Sequence, residues 1–311
     1  MKVCIIGGGP AGMSCGLWLH NFGYEVVMLD KSAEFGGAQK TSFHGNPWVL
    51  GFPSETGETL TKKMVQHFTS LGVHTYAGAN VAAIQVFRNM ISVEFQRDGE
   101  FHEVDTDYLV LATGTRPKTT PMMDELARQS PRVIIGAASP VIETVRNSRI
   151  CIMGGGDNAM ENALLMASHD NTVTVIARND FIARGDFLES CRNNPAITLH
   201  KRTIPDRYFC REDAIDVEIR SQTQTFDYLV VLYGYSPNSD FMDVVFKDLV
   251  FERDGHGYLK VDSWQRTNVD RVYAIGDLTN SQPPSMLTAI GQGAVAAKAI
   301  DRRVHGIMEH L

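Results

Sequence analysis

A chain of 311 residues is longer than one hydrophobic core comfortably organises, and it suits two compact domains that need no disulfide or metal staples. With 43% hydrophobic and 21% charged residues, and no apolar run near the roughly 18 residues of a membrane span, the composition predicts a soluble protein without a membrane partner. The formal charge of −7 provides no basic field for a polyanion, so nucleic acid is not an expected partner.

The opening residues MKVCIIGG run straight into an apolar strand and a glycine turn, leaving no room for a cleavable leader, which predicts a cytoplasmic location. Val3 to Ile6 reads as a continuous apolar strand, and Gly7, Gly9 and Gly12, with Pro10 and Ala11 between them, spell G-x-G-x-x-G. A helix is expected over Met13 to Phe22, closed by Gly23, followed by a strand from Glu25 to Leu29 that ends at Asp30. This is the pattern that binds a dinucleotide. The first glycine permits a tight turn, the second lets backbone approach a pyrophosphate, the third lets helix and strand pack closely, and the helix N-terminus attracts the phosphates. Asp30, 23 residues after Gly7, is placed to accept hydrogen bonds from ribose hydroxyls.

The same device recurs. Ile150 to Met153 is a strand, Gly154, Gly156 and Ala159 form G-x-G-x-x-A around Asp157 and Asn158, and a helix follows over Met160 to Ala167. The next strand, Thr172 to Ile176, leads not to a carboxylate but to Arg178, 24 residues after Gly154. A guanidinium there suits a 2′-phosphate and so NADPH rather than NADH; the plainer alternative is a solvated charge at a strand end. Arg184 is a second candidate phosphate contact. Five cysteines, Cys4, Cys15, Cys151, Cys191 and Cys210, show neither C-x-x-C nor metal-ligand spacing, and Cys4 and Cys151 lie in matching apolar strands as small core residues. No metal site is expected.

With GGGPAG and GGGDNAMENA go Gly36-Gly37 after Asp30, Ala112-Thr113-Gly114 after the strand Tyr108 to Leu111, and Gly276-Asp277 after the strand Val272 to Ile275. Over nearly its whole length the chain resembles the pyridine-nucleotide disulfide reductase superfamily, and in motif order the low-molecular-weight thioredoxin reductases. The resemblance implies an α/β fold of two Rossmann-like three-layer dinucleotide-binding domains, the NADPH domain (117–236) inserted into the FAD domain (1–116 and 237–311). Thr115-Arg116-Pro117 and Tyr233 to Pro237 would be the crossings. It places Lys31, Gly37, Gln39, Ala112, Thr113, Gly114, Gly276, Asp277 and a helix beginning near Thr288-Ala289 around FAD, the helix N-terminus stabilising charge on the reduced flavin. The final helix is expected over Gly293 to Arg303, and a homodimer is implied by resemblance alone.

Several positions depart from the family. About 17 residues before the second glycine motif, where thioredoxin reductases carry C-x-x-C, this chain reads Ala137-Ala138-Ser139-Pro140. The family's G-G-Q becomes Gly36-Gly37-Ala38-Gln39, its Arg-Gln pair before the last helix becomes Pro284-Ser285, and its second NADPH arginine becomes Asn179. Without a dithiol the chemistry left is hydride transfer from NADPH to flavin, then release of electrons to an external acceptor.

His44 lies in a stretch expected near the flavin ring and is placed to donate a proton or cover the ring, or is simply a loop residue. Trp48 and Phe52 are candidates for ring packing or plain core. Tyr233 and Tyr235 flank Gly234 at the return crossing and read first as domain packing. Three functions follow. The first is a reductase of a ferredoxin or flavodoxin carrier, whose thioredoxin-reductase-like forms share WVLGFP at 48–53 and YGY at 233–235; the net negative charge and the mere eight residues after Arg303 count against it. The second is a reductase of a small redoxin or disulfide with all thiols on the partner, and the third a non-catalytic flavin sensor.

Overall fold

The computed structural model describes residues 1–43, 45–136 and 140–307. The chain divides into two compact units, one built from Met1–Lys40, Gly45–Arg116 and a C-terminal part starting at Ser236, the other from Pro117–Tyr235 with a short run beginning at Thr41.

Each unit is a three-layer sandwich around a five-stranded parallel sheet. In the first the spatial order is Val272–Ala274, Tyr108–Leu111, Lys2–Ile6, Glu25–Asp30, His74–Ala77. In the second it is Val133–Ile135, Tyr228–Val231, Arg149–Met153, Thr172–Ile176, Ile197–His200. The glycine-motif strand is central in both, and a central parallel strand buried on two faces must be apolar at successive positions rather than alternating. Val3 and Ile5 pack with Ala11, Cys15 and Ala296 on the helical face, while Cys4 and Ile6 pack with Ile91, Val93 and Phe95 on the other. The second unit repeats this, with Ile150 and Ile152 against Met160 and Ala163, and Cys151 and Met153 against Ile215 and Val217. The third layer is an antiparallel meander, Asn80–Val86, Ile91–Arg97 and Glu100–Thr106 in one unit and Arg207–Cys210, Ile215–Ile219 and Gln222–Phe226 in the other.

The glycine helices begin earlier than the apolar pattern suggests. The first spans Pro10–Asn21 rather than starting at Met13, with proline at a position where its missing N–H costs nothing. The second spans Asp157–Ala167 rather than starting at Met160, with an acidic side chain on its first turn that complements the helix dipole. The last helix is a single element, Met286–Val304, capped by Ser285, whose hydroxyl accepts from the Thr288 N–H at 3.2 Å. Among the described residues no helix is long and apolar enough to cross a membrane.

Candidate functional site

The C-terminal ends of the first unit's central strands converge on the first glycine turn, the edge at which open α/β sheets bind ligands. Gly7 sits at φ +114°, and a side chain there would put its Cβ 2.2 Å from the carbonyl oxygen of Ala112. Glycine is therefore forced by the neighbouring strand. Ala112 donates its N–H to the Ile6 carbonyl at 2.8 Å, and the Ala112-Thr113-Gly114 turn is fixed from behind by Asn238. Thr113 Oγ1 donates to the Asn238 carbonyl at 2.9 Å, Asn238 Nδ2 donates to the Thr113 carbonyl at 2.9 Å, and the Asn238 N–H donates to the Gly114 carbonyl at 2.8 Å. Sequence reading missed Asn238, which lies 125 residues away and carries no motif.

Asp30 points into the turn. One carboxylate oxygen accepts the Gly8 N–H at 2.7 Å and the other accepts the Ser32 N–H at 2.7 Å. Each oxygen retains a second lone pair, so the bonds orient the carboxylate without saturating it. Gly36 donates to the Gly8 carbonyl at 2.8 Å, which brings Gly37 against Gly9 and starts the short helical turn Gly37–Thr41 that carries Gln39. Lys31 is exposed beside this cluster.

Gly276 and Asp277 open a second turn above Ala11. Gln292, also not anticipated, accepts the Gly276 N–H on Oε1 at 2.6 Å and donates from Nε2 to Thr279 Oγ1 at 3.0 Å. Asp277 is largely buried, burial raises its carboxyl above the ordinary range, and its Oδ1 has no hydrogen-bond partner. A buried carboxylate oxygen left unpaired in a glycine-lined crevice is where a ligand hydroxyl would be expected. At Gly9 an added Cβ would approach nothing closer than 3.8 Å, so the crevice side of the turn has room. This arrangement fits a dinucleotide.

The remaining sequence candidates in this unit lie on one loop and the helix it touches. Trp48 and Phe52 are 69% and 42% exposed, while Val49 between them is buried with Leu60 and Met286. The loop thus rests on the start of the Met286–Val304 helix. There the Thr288 hydroxyl is engaged by Ser285 and the Pro283 carbonyl, and Ala289 is buried in the core. His44 and Ala137-Ala138-Ser139 lie outside the described residues.

In the second unit a Cβ at Gly154 would fall 2.3 Å from the Leu232 carbonyl oxygen, the counterpart of Gly7 against Ala112, whereas a Cβ at Gly156 would meet nothing within 4 Å. Ala159 is fully buried beneath the turn. Asp157 accepts the Arg184 N–H at 2.7 Å, and Asn158 donates to the Tyr235 hydroxyl at 3.3 Å. The Arg184 guanidinium is held by Asp186 at 2.6 Å and lies 4.7 Å from the Phe187 ring centroid, whereas Arg178 projects exposed from the strand end. All five cysteines are free thiols. Cys4, Cys15 and Cys151 are fully buried, and burial pushes each thiol well above its ordinary range, away from the reactive thiolate.

The profile of a family described as pyridine nucleotide-disulphide oxidoreductase matches residues 1–293. The chain belongs to that family. It is 24% identical to the "34.2 kDa protein in rubredoxin operon" of Clostridium pasteurianum, over 98% of both chains. It is 26% identical to a ferredoxin–NADP reductase of Pediococcus pentosaceus, over 96% of this chain and 92% of the relative. Its fold is that of the thioredoxin reductase of Lactococcus lactis (TM-score 0.82, 23% identity, 98% of this chain and 99% of the other). As a pyridine nucleotide-disulphide oxidoreductase the protein is an FAD-dependent enzyme that uses NADPH.

Asp277 offers a direct test of the crevice. A carboxyl whose folded-state pKa is raised contributes stability below its unfolded value, about 4, and that contribution is lost as pH rises through the folded value. In flavin-stripped protein Asp277 should therefore pull stability down as pH rises above about 4, against paired carboxylates such as Asp227 and Asp243, whose lowered values add stability over the same rise. Asp277→Asn should remove that downward contribution, so that its melting temperature gains on wild type as pH rises and is higher at neutral pH in the apoprotein, while weakening FAD retention. Melting profiles that run parallel in the two proteins would contradict an unpaired carboxylate at this position.

Proposed function

We propose that this protein is an NADPH-dependent flavoprotein reductase that delivers electrons from its flavin directly to an external one-electron carrier of the ferredoxin or flavodoxin type, with no thiol relay of its own. In this reading the first unit is the FAD domain and the second the NADPH domain, and the working form is a cytoplasmic homodimer. The observation that carries it is the state of the cysteines: none occupies the place of the family dithiol, and the five thiols present are unpaired and raised by burial. The Pediococcus relative named as a ferredoxin–NADP reductase and the Clostridium relative named for a rubredoxin operon support the same class of acceptor.

The chain's own residues then bind and orient. Gly7, Gly9, Pro10, Ala11 and Gly12 present backbone and a helix N-terminus to the FAD diphosphate, and Asp30 and Lys31 border its ribose. Asp277 holds the ribityl and pyrophosphate region, Gln39 and Ala112 to Gly114 border the ring, and Trp48 and Phe52 shield it from water. Gly154, Gly156, Asp157, Asn158 and Ala159 do for NADPH what the first turn does for FAD, with Arg178 on the 2′-phosphate. Held by these residues, FAD would supply the capacity to accept a hydride from NADPH and to pass on its two electrons one at a time.

Anaerobic NADPH titration is expected to bleach the flavin absorbance, which a non-catalytic sensor would not show. Turnover should follow with ferredoxin or flavodoxin and not with thioredoxin or low-molecular-weight disulfides. Iodoacetamide applied to the NADPH-reduced enzyme should leave turnover within about twofold, because no thiol is poised as a thiolate. Alkylation that abolishes turnover, or a disulfide as the only competent acceptor, would overturn the proposal.

A further inference from the structure

The second unit carries a cationic cluster that its motif does not contain. The strands Thr172–Ile176 and Ile197–His200 end side by side, and three backbone bonds stitch the chain beyond them: Ala177 N–H to the His200 carbonyl at 2.8 Å, Thr203 N–H to the Ala177 carbonyl at 2.9 Å, and Arg202 N–H to the Asn179 carbonyl at 3.1 Å. Lys201 and Arg202 are thereby fixed against the segment that begins with Arg178. Asp180 accepts Nε and Nη2 of Arg202 on one oxygen at 3.1 and 2.6 Å, and its other oxygen lies 3.3 Å from Lys201 Nζ. Two cations, Lys201 and Arg202, thus flank one carboxylate two residues beyond the exposed Arg178.

Arg202 occupies φ +51°, a left-handed conformation that asparagine or glycine adopts with less strain. Strain of this kind persists where surrounding structure enforces it and often marks a working position. Stability is a weak reason for it, since the Arg202 and Asp180 side chains are 73% and 50% exposed and such ion pairs contribute little. Two of the guanidinium's donors are directed at Asp180, which sets its plane and leaves donors on its far side directed to solvent.

We propose that Arg202, with Lys201 beside it, supplies the second cationic contact to the adenosine 2′-phosphate of NADPH, from the loop after Ile197–His200, in place of the arginine that Asn179 replaces. Asp180 is the brace that positions both. The inference rests on reading the second unit as the NADPH domain with Arg178 at the 2′-phosphate.

The test is calorimetric titration of the flavin-loaded enzyme with 2′,5′-ADP and 5′-AMP, which differ only in the 2′-phosphate. Arg202→Asn suits the backbone and should melt no earlier than wild type. It should lose about tenfold in affinity for 2′,5′-ADP, with 5′-AMP unchanged and a shallower salt dependence, as expected for one charge-assisted contact removed. Equal loss for both probes, or no loss for 2′,5′-ADP while Arg178→Ala loses it, would overturn the role of Arg202 and leave the NADPH reading standing. A wild-type enzyme that binds the two probes equally would instead remove that reading itself.

Discussion

Alanine at Gly12 is expected to yield a protein that has lost both its flavin and about 1–3 kcal/mol of stability. The added Cβ would stand 2.0 Å from the Gly7 carbonyl oxygen and 3.3 Å from the Ile5 side chain. The nearest obstacle is backbone of the glycine turn that follows the central strand, so no side-chain rotation relieves it, and the helix must shift away from the sheet. Shifts of that kind cost about 1–3 kcal/mol in a packed core, and here they also move the helix N-terminus from the pyrophosphate it would hold. Gly23→Ala is the control: it sits at φ +85° with nothing within 4 Å of the new Cβ, so it carries conformational strain alone, about 1 kcal/mol. Purified Gly12→Ala should be colourless and melt well below Gly23→Ala. A yellow Gly12→Ala protein with the wild-type melting temperature would mean that this glycine does not set helix–sheet contact.

Gly12 was legible because its constraint is local: strand, turn and helix lie within about fifteen residues, and steric exclusion leaves one residue type. The two central strands were legible for a related reason, since burial on both faces demands apolar residues at every position. Helix starts were less so. Pro10 and Asp157 add nothing to an apolar period, although both are favourable first-turn residues, and the period alone begins three residues too late in each helix. The final helix, expected over Gly293 to Arg303, begins at Met286 and runs through Gly293 without a break. A Cβ at Gly293 would lie 2.4 Å from the Ala11 carbonyl, so that glycine is what lets the last helix lie against the first.

The site was least visible where its supports are distant in sequence. Asn238 and Gln292 hold the Ala112–Gly114 and Gly276–Asp277 turns through single side-chain amides, and an amide leaves no periodic trace. The inward aim of Asp30 at the Gly8 N–H belongs to the same class, because the carboxylate's identity was readable but its orientation was not. Arg202 was hidden for another reason: a left-handed backbone at a non-glycine residue follows from how two parallel strands end together, not from the residue itself.

The duplicated turn also allows the two halves of the reaction to be separated, and valine at Gly156 is the substitution for doing so. Gly156 lies at φ −98°, which any residue adopts, and an added Cβ meets nothing within 4 Å. The fold should therefore tolerate the change, at a cost within about 1 kcal/mol for a β-branched residue at a helix N-cap. The space into which the side chain projects is the space the second glycine of the motif leaves for a pyrophosphate. Gly156→Val is expected to purify yellow with wild-type flavin content and melting temperature, while anaerobic bleaching by NADPH slows by about a hundredfold, the loss expected when a bulky group displaces a bound reactant from its reacting geometry. Dithionite should still bleach the flavin at once, because the first unit is untouched. The opposite pattern, with flavin lost and NADPH binding retained, would require the two glycine turns to exchange their assigned dinucleotides.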